Sequence, residues 1–249
     1  MQNERGAALI VVLMLLVLLG AIALGVSLIA MTDLMTAANF RENQQAMYLA
    51  EAAAARAAAD LDRLSDWTPV LAGAARSSFV DGEPGGTRSL ASGEEIDLDE
   101  IRSLANCGKA ACTGVDLVAV TAERPWGPNN PTFHLFAYGK VSDLLQTDSA
   151  GAFYLVVMVA DDPSETDGDP LRDAAGAVDP GRGVALIRAE AFGPRGSRRG
   201  VEMVVARSGG PSPEQGYSGQ LAGGETNEHR SGRPVGTPRS TLGWRRIGG

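Results

Sequence analysis

The sequence is poor in the residues that build metal centres and covalent scaffolds. Its 249 residues include two cysteines and two histidines. Two cysteines are too few for a disulfide-dense scaffold or a four-cysteine zinc site. Two histidines disfavour a histidine-based catalytic metal site.

Aromatic residues and excess positive charge are also scarce. Aromatics make up 5% of the chain, and 22 basic side chains face 30 acidic ones, which gives a net charge of -8. Nucleic-acid binding needs clustered Lys and Arg to replace counterions, and single strands are bound largely by aromatic stacking. We therefore expect no nucleic acid among the partners.

Common catalytic motifs are missing as well. The chain has no Gly-x-Ser-x-Gly elbow, no phosphate-binding loop and no His-Glu-x-x-His pair. Its two histidines, His134 and His229, have no nucleophile near them in sequence. We therefore predict a protein that is not an enzyme.

The sequence does contain one long apolar segment near its N-terminus. No charged residue lies between Ala7 and Met31. As a helix, this segment spans about 37 Å, more than the roughly 30 Å of a bilayer's hydrocarbon core. A secretory signal has a shorter apolar region of about 7–15 residues. We predict a membrane-spanning helix over residues 7–31, and Arg5 before it favours a cytoplasmic N-terminus.

The helix is predicted to continue past the membrane segment. Residues 32–64 contain neither Gly nor Pro, and alanine, the best helix former, dominates from Tyr48 to Asp60. Apolar residues recur at steps of three and four, and so share one face: Ala46, Leu49, Ala53, Ala57, Leu61 and Leu64. The predicted helix therefore has a first half that is apolar all round and a second half that is amphipathic.

Two short stretches in this helix are distinctive. Residues 1–6 form a polar leader. Residues 5–10, which overlap the end of this leader, read Arg-Gly-Ala-Ala-Leu-Ile. Residues 38–41 read Ala-Asn-Phe-Arg, and residues 45–52 read Gln-Ala-Met-Tyr-Leu-Ala-Glu-Ala. Together with the long helix, they resemble a type IV prepilin, and in detail the PilX-type minor pilin family. The resemblance covers roughly residues 5–64, a quarter of the chain.

The resemblance implies how the chain is processed. A prepilin peptidase would cut after Gly6 and methylate the new amine of Ala7. Glycine suits this position, because a peptidase at the membrane edge needs an extended, unobstructed backbone. Major pilins carry Glu at the fifth mature position, where it pairs with a neighbour's N-terminal amine, but here that position is Val11. The departure suits a minor subunit at the filament tip or in the assembly-initiating complex.

The same resemblance implies partners and a location. The partners are other pilins, the prepilin peptidase, the inner-membrane assembly platform, and membrane lipid before assembly. The chain would cross the inner membrane once, with a periplasmic head, and then enter a filament, where the head sets position and contributes to cell adhesion. A minor pseudopilin of a type II secretion system is an alternative in the same class. A signal-anchored periplasmic enzyme or ligand-binding module is the alternative from another class.

Residues 65–114 are predicted to be loop-rich, and they contain both cysteines. Cys107 and Cys112 enclose four residues. In an oxidising periplasm the pair would form a small disulfide loop, with free thiols as the alternative. The acidic stretch from Asp81 to Arg102 is interpreted as a solvated face or a flexible loop.

Beyond residue 114 the pattern changes to strands. Apolar runs with turn-like links predict five consecutive strands and hence an antiparallel meander: 115–122, 132–141, 152–160, 184–192 and 201–207. Residues 193–200 are predicted to be a hairpin loop. One face of this sheet must be buried, and the alanine-rich face of the helix is the available partner. We therefore predict an α+β, type IV pilin-like fold, with the head in residues 65–207.

An acidic segment from Asp161 to Arg182 interrupts the predicted sheet. Clustered carboxylates are the ligands that calcium prefers, so the segment offers four candidate calcium ligands: Asp161, Asp162, Asp167 and Asp169. It fails the EF-hand template, and a solvated loop is the alternative. We expect no other cofactor.

The C-terminal residues 208–249 are rich in Gly, Pro and Ser. Such a composition buries too little apolar surface to order itself, so a flexible tail is predicted. The last part, residues 241–247, contains Trp244 between Leu242 and Ile247. Three alternatives stay open for this part: it adds an edge strand to the sheet, it docks on the head, or it is disordered.

Overall fold

The computed structural model describes residues 4–145, 152–164, 168–173, 183–207 and 239–247. These residues form an α+β fold with one long N-terminal helix and antiparallel sheets. The helices are α1 (Glu4–Asp62), α2 (Thr68–Leu71), α3 (Leu98–Cys107), α4 (Gly114–Leu117) and α5 (Val141–Leu145). The strands are β1 (Thr87–Ser89), β2 (Glu95–Asp97), β3 (His134–Lys140), β4 (Tyr154–Asp161), β5 (Val184–Phe192), β6 (Arg198–Arg207) and β7 (Arg239–Ile247).

Helix α1 is continuous over 59 residues, so the prediction of one long helix is confirmed. The chain forms two compact units, residues 1–44 and 45–249, and the boundary between them falls within α1. In the first unit, the large apolar side chains from Leu9 to Met35 are all more than half exposed. This part of α1 is long and apolar enough to cross a membrane, which weakly indicates a membrane anchor.

A five-stranded antiparallel sheet lies at the centre of the second unit. Its strand order, β3-β4-β5-β6-β7, follows the chain, so these strands form the predicted meander. Strands β5 and β6 pair without interruption from Val184 opposite Ala206 to Phe192 opposite Arg198. Every residue of β4 is buried, because both faces of the sheet are covered along this strand.

The alanine-rich half of α1 covers one face of this sheet. Its buried residues lie along one side of the helix: Ala46, Ala50, Ala53, Ala54, Ala57, Ala58 and Leu61. They form one hydrophobic cluster with strand residues such as Val157, Ile187 and Val201. Alanine suits this contact, because its small side chain lets helix and sheet approach closely and loses no rotamer freedom on burial. The predicted contact between helix and sheet is present, with a wider alanine face than the sequence pattern suggested.

The opposite face of the sheet is covered over β3 and β4. The hairpin β1–β2 and helix α3 bring Leu90, Leu98 and Ile101 against Tyr138 and Met158 in a second cluster. Beyond this layer, in the described part of the chain, the outer face of β5 and β6 stays open only in part, because Phe192 at the end of β5 is also buried in the second cluster. That open face becomes the floor of the cleft described below.

The loop-rich prediction for residues 65–114 is wrong over β1, β2 and α3. The acidic residues there start a helix, because the carboxylate of Asp97 accepts the backbone N–H groups of Asp99 and Glu100. Gly108 ends α3 in a left-handed conformation with φ of 70°. An acidic stretch that resembles a solvated loop is therefore in part a helix N-terminus.

The predicted strand over residues 115–122 is also wrong. The segment begins with the short helix α4, because Thr113 and Asp116 form a reciprocal capping box. The Thr113 hydroxyl accepts the Asp116 N–H, and the Asp116 carboxylate accepts the Thr113 N–H at 2.9 Å. This local capping outweighs the β-propensity of the valines. Strand β6 also begins earlier than predicted, at Arg198, because the turn at Pro194–Gly196 is tight.

Strand β7 forms at the C-terminal end of the chain. It pairs antiparallel with β6, from Arg239 opposite Arg207 to Ile247 opposite Gly200. Of the alternatives left open for residues 241–247, the structure has the edge strand. The rest of the flexible tail predicted over residues 208–249 lies outside the described residues, apart from the start of β7 at Arg239 and Ser240.

Replacing Ala57 with Leu tests the close packing of α1 on the sheet. Ala57 is 1% exposed, whereas Ala55 lies on the exposed side of the same helix. We expect Ala57→Leu to lower the free energy of unfolding by about 1–3 kcal/mol, because extra methylenes overpack a filled interface. Ala55→Leu should change it by less than about 0.5 kcal/mol. Equal effects of the two substitutions on denaturant unfolding in detergent would contradict the packing.

Candidate functional site

The residues predicted for processing lie at the start of α1. The helix begins at Glu4, so Gly6 and Ala7 occupy its first turn. Val11, the position where major pilins carry Glu, is 58% exposed in the apolar part of the helix. The processing roles of these residues stay predictions.

The hydroxyl groups in the apolar half of α1 are paired within the helix. Ser27 donates to the carbonyl of Ala23 at 2.9 Å, and Thr36 donates to the carbonyl of Thr32 at the same distance. The Thr32 hydroxyl in turn donates to the carbonyl of Leu28 at 3.0 Å. Because an unpaired polar group in hydrocarbon costs several kcal/mol, these bonds make the helix surface compatible with lipid or with other apolar helices.

The candidate calcium ligands are spread along the end of β4 and the segment after it. Asp161 is 3% exposed within β4, and Asp162 accepts the backbone N–H and the hydroxyl of Ser164. Asp169 accepts the N–H of Leu171, while Asp167 lies outside the described residues. The described ranges contain no group of three or more His, Cys, Asp or Glu side chains placed to hold a metal. Calcium binding stays a prediction.

Cys107 and Cys112 form a disulfide, with their Cα atoms 6.1 Å apart. The bond joins the last residue of α3 to the loop that leads into α4. It therefore holds this loop against the end of α3, and both elements line the nearby cleft.

The cleft in the head has a volume of about 900 Å³. Its floor is the open outer face of β5 and β6, where Leu186 and Val204 are register partners. Its walls are the end of α3, the disulfide loop and the loop between α4 and β3. Apolar side chains supply much of the lining: Leu104, Trp126, Pro131, Phe133, Pro163 and Leu186.

A single buried amide fixes the loop that forms one wall. Asn130 is 1% exposed, and its Nδ2 donates to the carbonyls of Leu117 and Ala119 at 3.0 and 2.8 Å. Its Oδ1 accepts the backbone N–H of Trp126 at 3.1 Å. Because three points of the loop are bonded to one side chain, the loop presents Trp126 and Arg124 to the cleft in a defined arrangement.

Arg124 is the least compensated cation of the cleft. Its Nη2 donates to the carbonyl of Pro131 at 2.7 Å. Its Nη1 is shielded from solvent and has no acceptor among the described residues. Burial lowers the pKa of Arg124 below its ordinary value, because the charged guanidinium loses hydration. A buried donor without an acceptor costs roughly 1–3 kcal/mol, and more when it is charged.

The other cations that line the cleft have carboxylate partners. Lys109 pairs with Asp116 across the disulfide loop. Arg188 pairs with Glu190, whose side chain is 2% exposed, at 2.8 Å. Arg198 reaches the second oxygen of Glu190, so two cations compensate one buried carboxylate. Among the described cations of the cleft, Arg124 is thus distinguished by its missing counterion.

Sequence reasoning did not identify these cleft residues. Arg124 and Trp126 lie in a Pro-rich loop without apolar periodicity, so their placement depends on the tertiary contacts of Asn130. Of the residues singled out from the sequence, Cys107 of the disulfide and Asp162 line the cleft.

Comparisons with known proteins identify no relative: no family model, curated protein or solved structure matches the chain.

His134 lies at the start of β3, outside the cleft lining. Gly73, with φ of 71°, lies so close to the imidazole that a Cβ there would come within 2.6 Å of Nδ1. The Nε2 atom is buried and has no hydrogen-bond partner in the described part of the chain. Burial lowers the pKa of His134 below its ordinary value of 6.5, and the charge of Arg102 lowers it further.

This environment predicts a pH dependence of stability. As the pH falls through about 6.5, the unfolded chain takes up a proton on His134 that the folded chain resists, so stability falls. The loss is complete only below the folded pKa. We expect His134→Gln to lose less stability than the wild type between pH 7.5 and pH 5, measured by thermal unfolding in detergent. Since both chains share their other titrating groups, equal losses would contradict a buried neutral histidine.

Proposed function

We propose that the chain is a minor pilin of PilX type, a structural subunit of a type IV pilus that acts at the filament tip or in the assembly-initiating complex. The observation that supports this most is α1 itself. One uninterrupted helix is apolar and exposed in its first half, and it packs by alanine against an antiparallel meander in its second. It begins with the Arg5-Gly6-Ala7 stretch of the prepilin resemblance.

The apolar half of α1 explains how such a subunit changes its surroundings. Before assembly, its exposed apolar side chains are covered by membrane lipid. During assembly they exchange lipid for the equally apolar helices of other pilins, and packing rather than hydrophobicity decides the exchange. The internally bonded hydroxyls of Ser27, Thr32 and Thr36 add no unpaired polar group in either surrounding.

The absence of a carboxylate at Val11 limits the places in a filament that such a subunit can occupy. A Glu there would compensate the N-terminal amine of a neighbour, and valine offers no charge. A subunit placed first in a filament has no earlier neighbour whose amine it must compensate. The proposed partners are other pilins, the prepilin peptidase and the inner-membrane assembly platform. A minor pseudopilin of a type II secretion system would use the same helix in the same way.

We propose a structural rather than an enzymatic role for the head. The described histidine, His134, is packed against Gly73 and is not part of the cleft lining. The alternative hypothesis, a signal-anchored periplasmic enzyme, therefore gains no support from His134.

The proposal is tested by Gly6→Glu in cells that express a prepilin peptidase. We expect the variant to keep residues 1–6, because a long, charged side chain at the cleavage position blocks the backbone from the peptidase. Gln2→Glu adds the same charge farther from the bond and should be cleaved normally. Intact mass of the membrane-extracted chain distinguishes the two. If the wild type stays uncleaved while a control prepilin is cleaved, the proposal is contradicted and the helix is a signal anchor.

A further inference from the structure

We infer that the cleft beside the disulfide binds a peptide segment that carries a carboxylate among apolar residues, with Arg124 as the carboxylate's partner. This inference rests on the geometry of the head alone and does not depend on the proposed function. Its ligand is defined by three features of the cleft: an uncompensated cation, an apolar lining and a rim of mixed charge.

The uncompensated cation points to an anionic group. Arg124 Nη1 is sheltered from water and has no acceptor in the described part of the chain, while Nη2 is used by Pro131. A guanidinium pairs best with a planar carboxylate or with a phosphate, through two parallel N–H donors. An anion beside Arg124 would supply the missing counter-charge.

Acidic side chains of the cleft favour a carboxylate over a phosphate. Glu123 is exposed beside Arg124, and Asp162 also lines the cleft. A phosphate group with nearly two negative charges would be repelled by these side chains more strongly than a singly charged carboxylate.

The lining and size select a peptide. A volume of about 900 Å³ lies within the roughly 300–1,000 Å³ typical of ligand sites, and it accommodates a short peptide segment. Trp126, Phe133 and Leu186 offer surfaces to apolar side chains. The paired charges of Lys109 and Asp116 suit the polar backbone of a peptide better than the uniform tail of a lipid.

The cleft is also organised before a ligand arrives. The disulfide holds the α3–α4 loop, and Asn130 holds the opposite loop through three hydrogen bonds. Since less side-chain and loop ordering is needed on binding, more of the interaction free energy remains as affinity.

Three hexapeptide pools test the inference on the full chain in lipid nanodiscs. All pools are acetylated and randomised over Ala, Val, Leu and Phe. The first carries one internal Glu and an amidated end, the second has a free C-terminal carboxylate and no Glu, and the third has neither. Affinity-selection mass spectrometry measures the retention of each pool.

We expect an acidic pool to be retained about tenfold or more above the neutral pool, as a charge-assisted hydrogen bond predicts. Enrichment of the first pool would assign the carboxylate to a side chain, and enrichment of the second would assign it to a chain terminus. Arg124→Gln should lower acidic retention to the neutral level and leave neutral retention unchanged. Arg124→Lys should restore part of the preference.

Arg63→Gln is the matched control, because Arg63 is an exposed arginine just after α1 and outside the cleft. It should leave all three pools unchanged. Thermal unfolding of each variant shows whether the head is still folded. Equal retention of acidic and neutral pools, or a preference that survives Arg124→Gln in a folded protein, would overturn the inference.

Two further results would overturn it by naming another occupant. If laurate displaces every peptide, the cleft takes a lipid carboxylate. If deletion of residues 211–236 raises acidic retention more than about tenfold, the chain's own segment already competes for the cleft.

Discussion

The contact between the alanine face of α1 and the sheet is the constraint on which the second unit depends. Together with Trp67 and α2, it covers one face of a meander whose strands follow the chain, and it buries Ala53, Ala57 and Leu61 in one cluster with residues of β4, β5 and β6. The helix residues in this contact are mostly small and all buried, so any enlargement must move helix or strands. Because α1 is unbroken, the element that holds the head is also the one that carries the apolar half.

The same constraint explains why the head has a cleft. Because α1 packs on one face of the sheet, the segment between α1 and β3 must cover the other face. This segment supplies one hairpin and one ten-residue helix for that purpose. These cover β3, β4 and the end of β5, and they leave the rest of β5 and β6 open. Loops held by the disulfide and by Asn130 surround that open surface and place Arg124 beside it.

Much of this architecture could be predicted from residue patterns, and the failures have local causes. Alanines at helical spacing gave the helix face, and β5 has the predicted bounds, Val184–Phe192. The strand predicted over residues 115–122 is wrong because the Thr113–Asp116 capping box starts a helix there. Helix α3 was missed although Asp97 and Gly108 mark its two ends. The cleft could not be predicted, because an arginine without an acceptor is defined by distant contacts and not by its neighbours in sequence.

We propose that α1 carries this chain from a membrane into a filament. The most direct test is the intact mass of the chain recovered from sheared surface filaments of a cell that builds type IV pili. The account predicts a chain that starts at N-methylated Ala7 in the filament fraction. A chain that stays in the membrane fraction and still contains residues 1–6, while other pilins are processed and assembled, would contradict it.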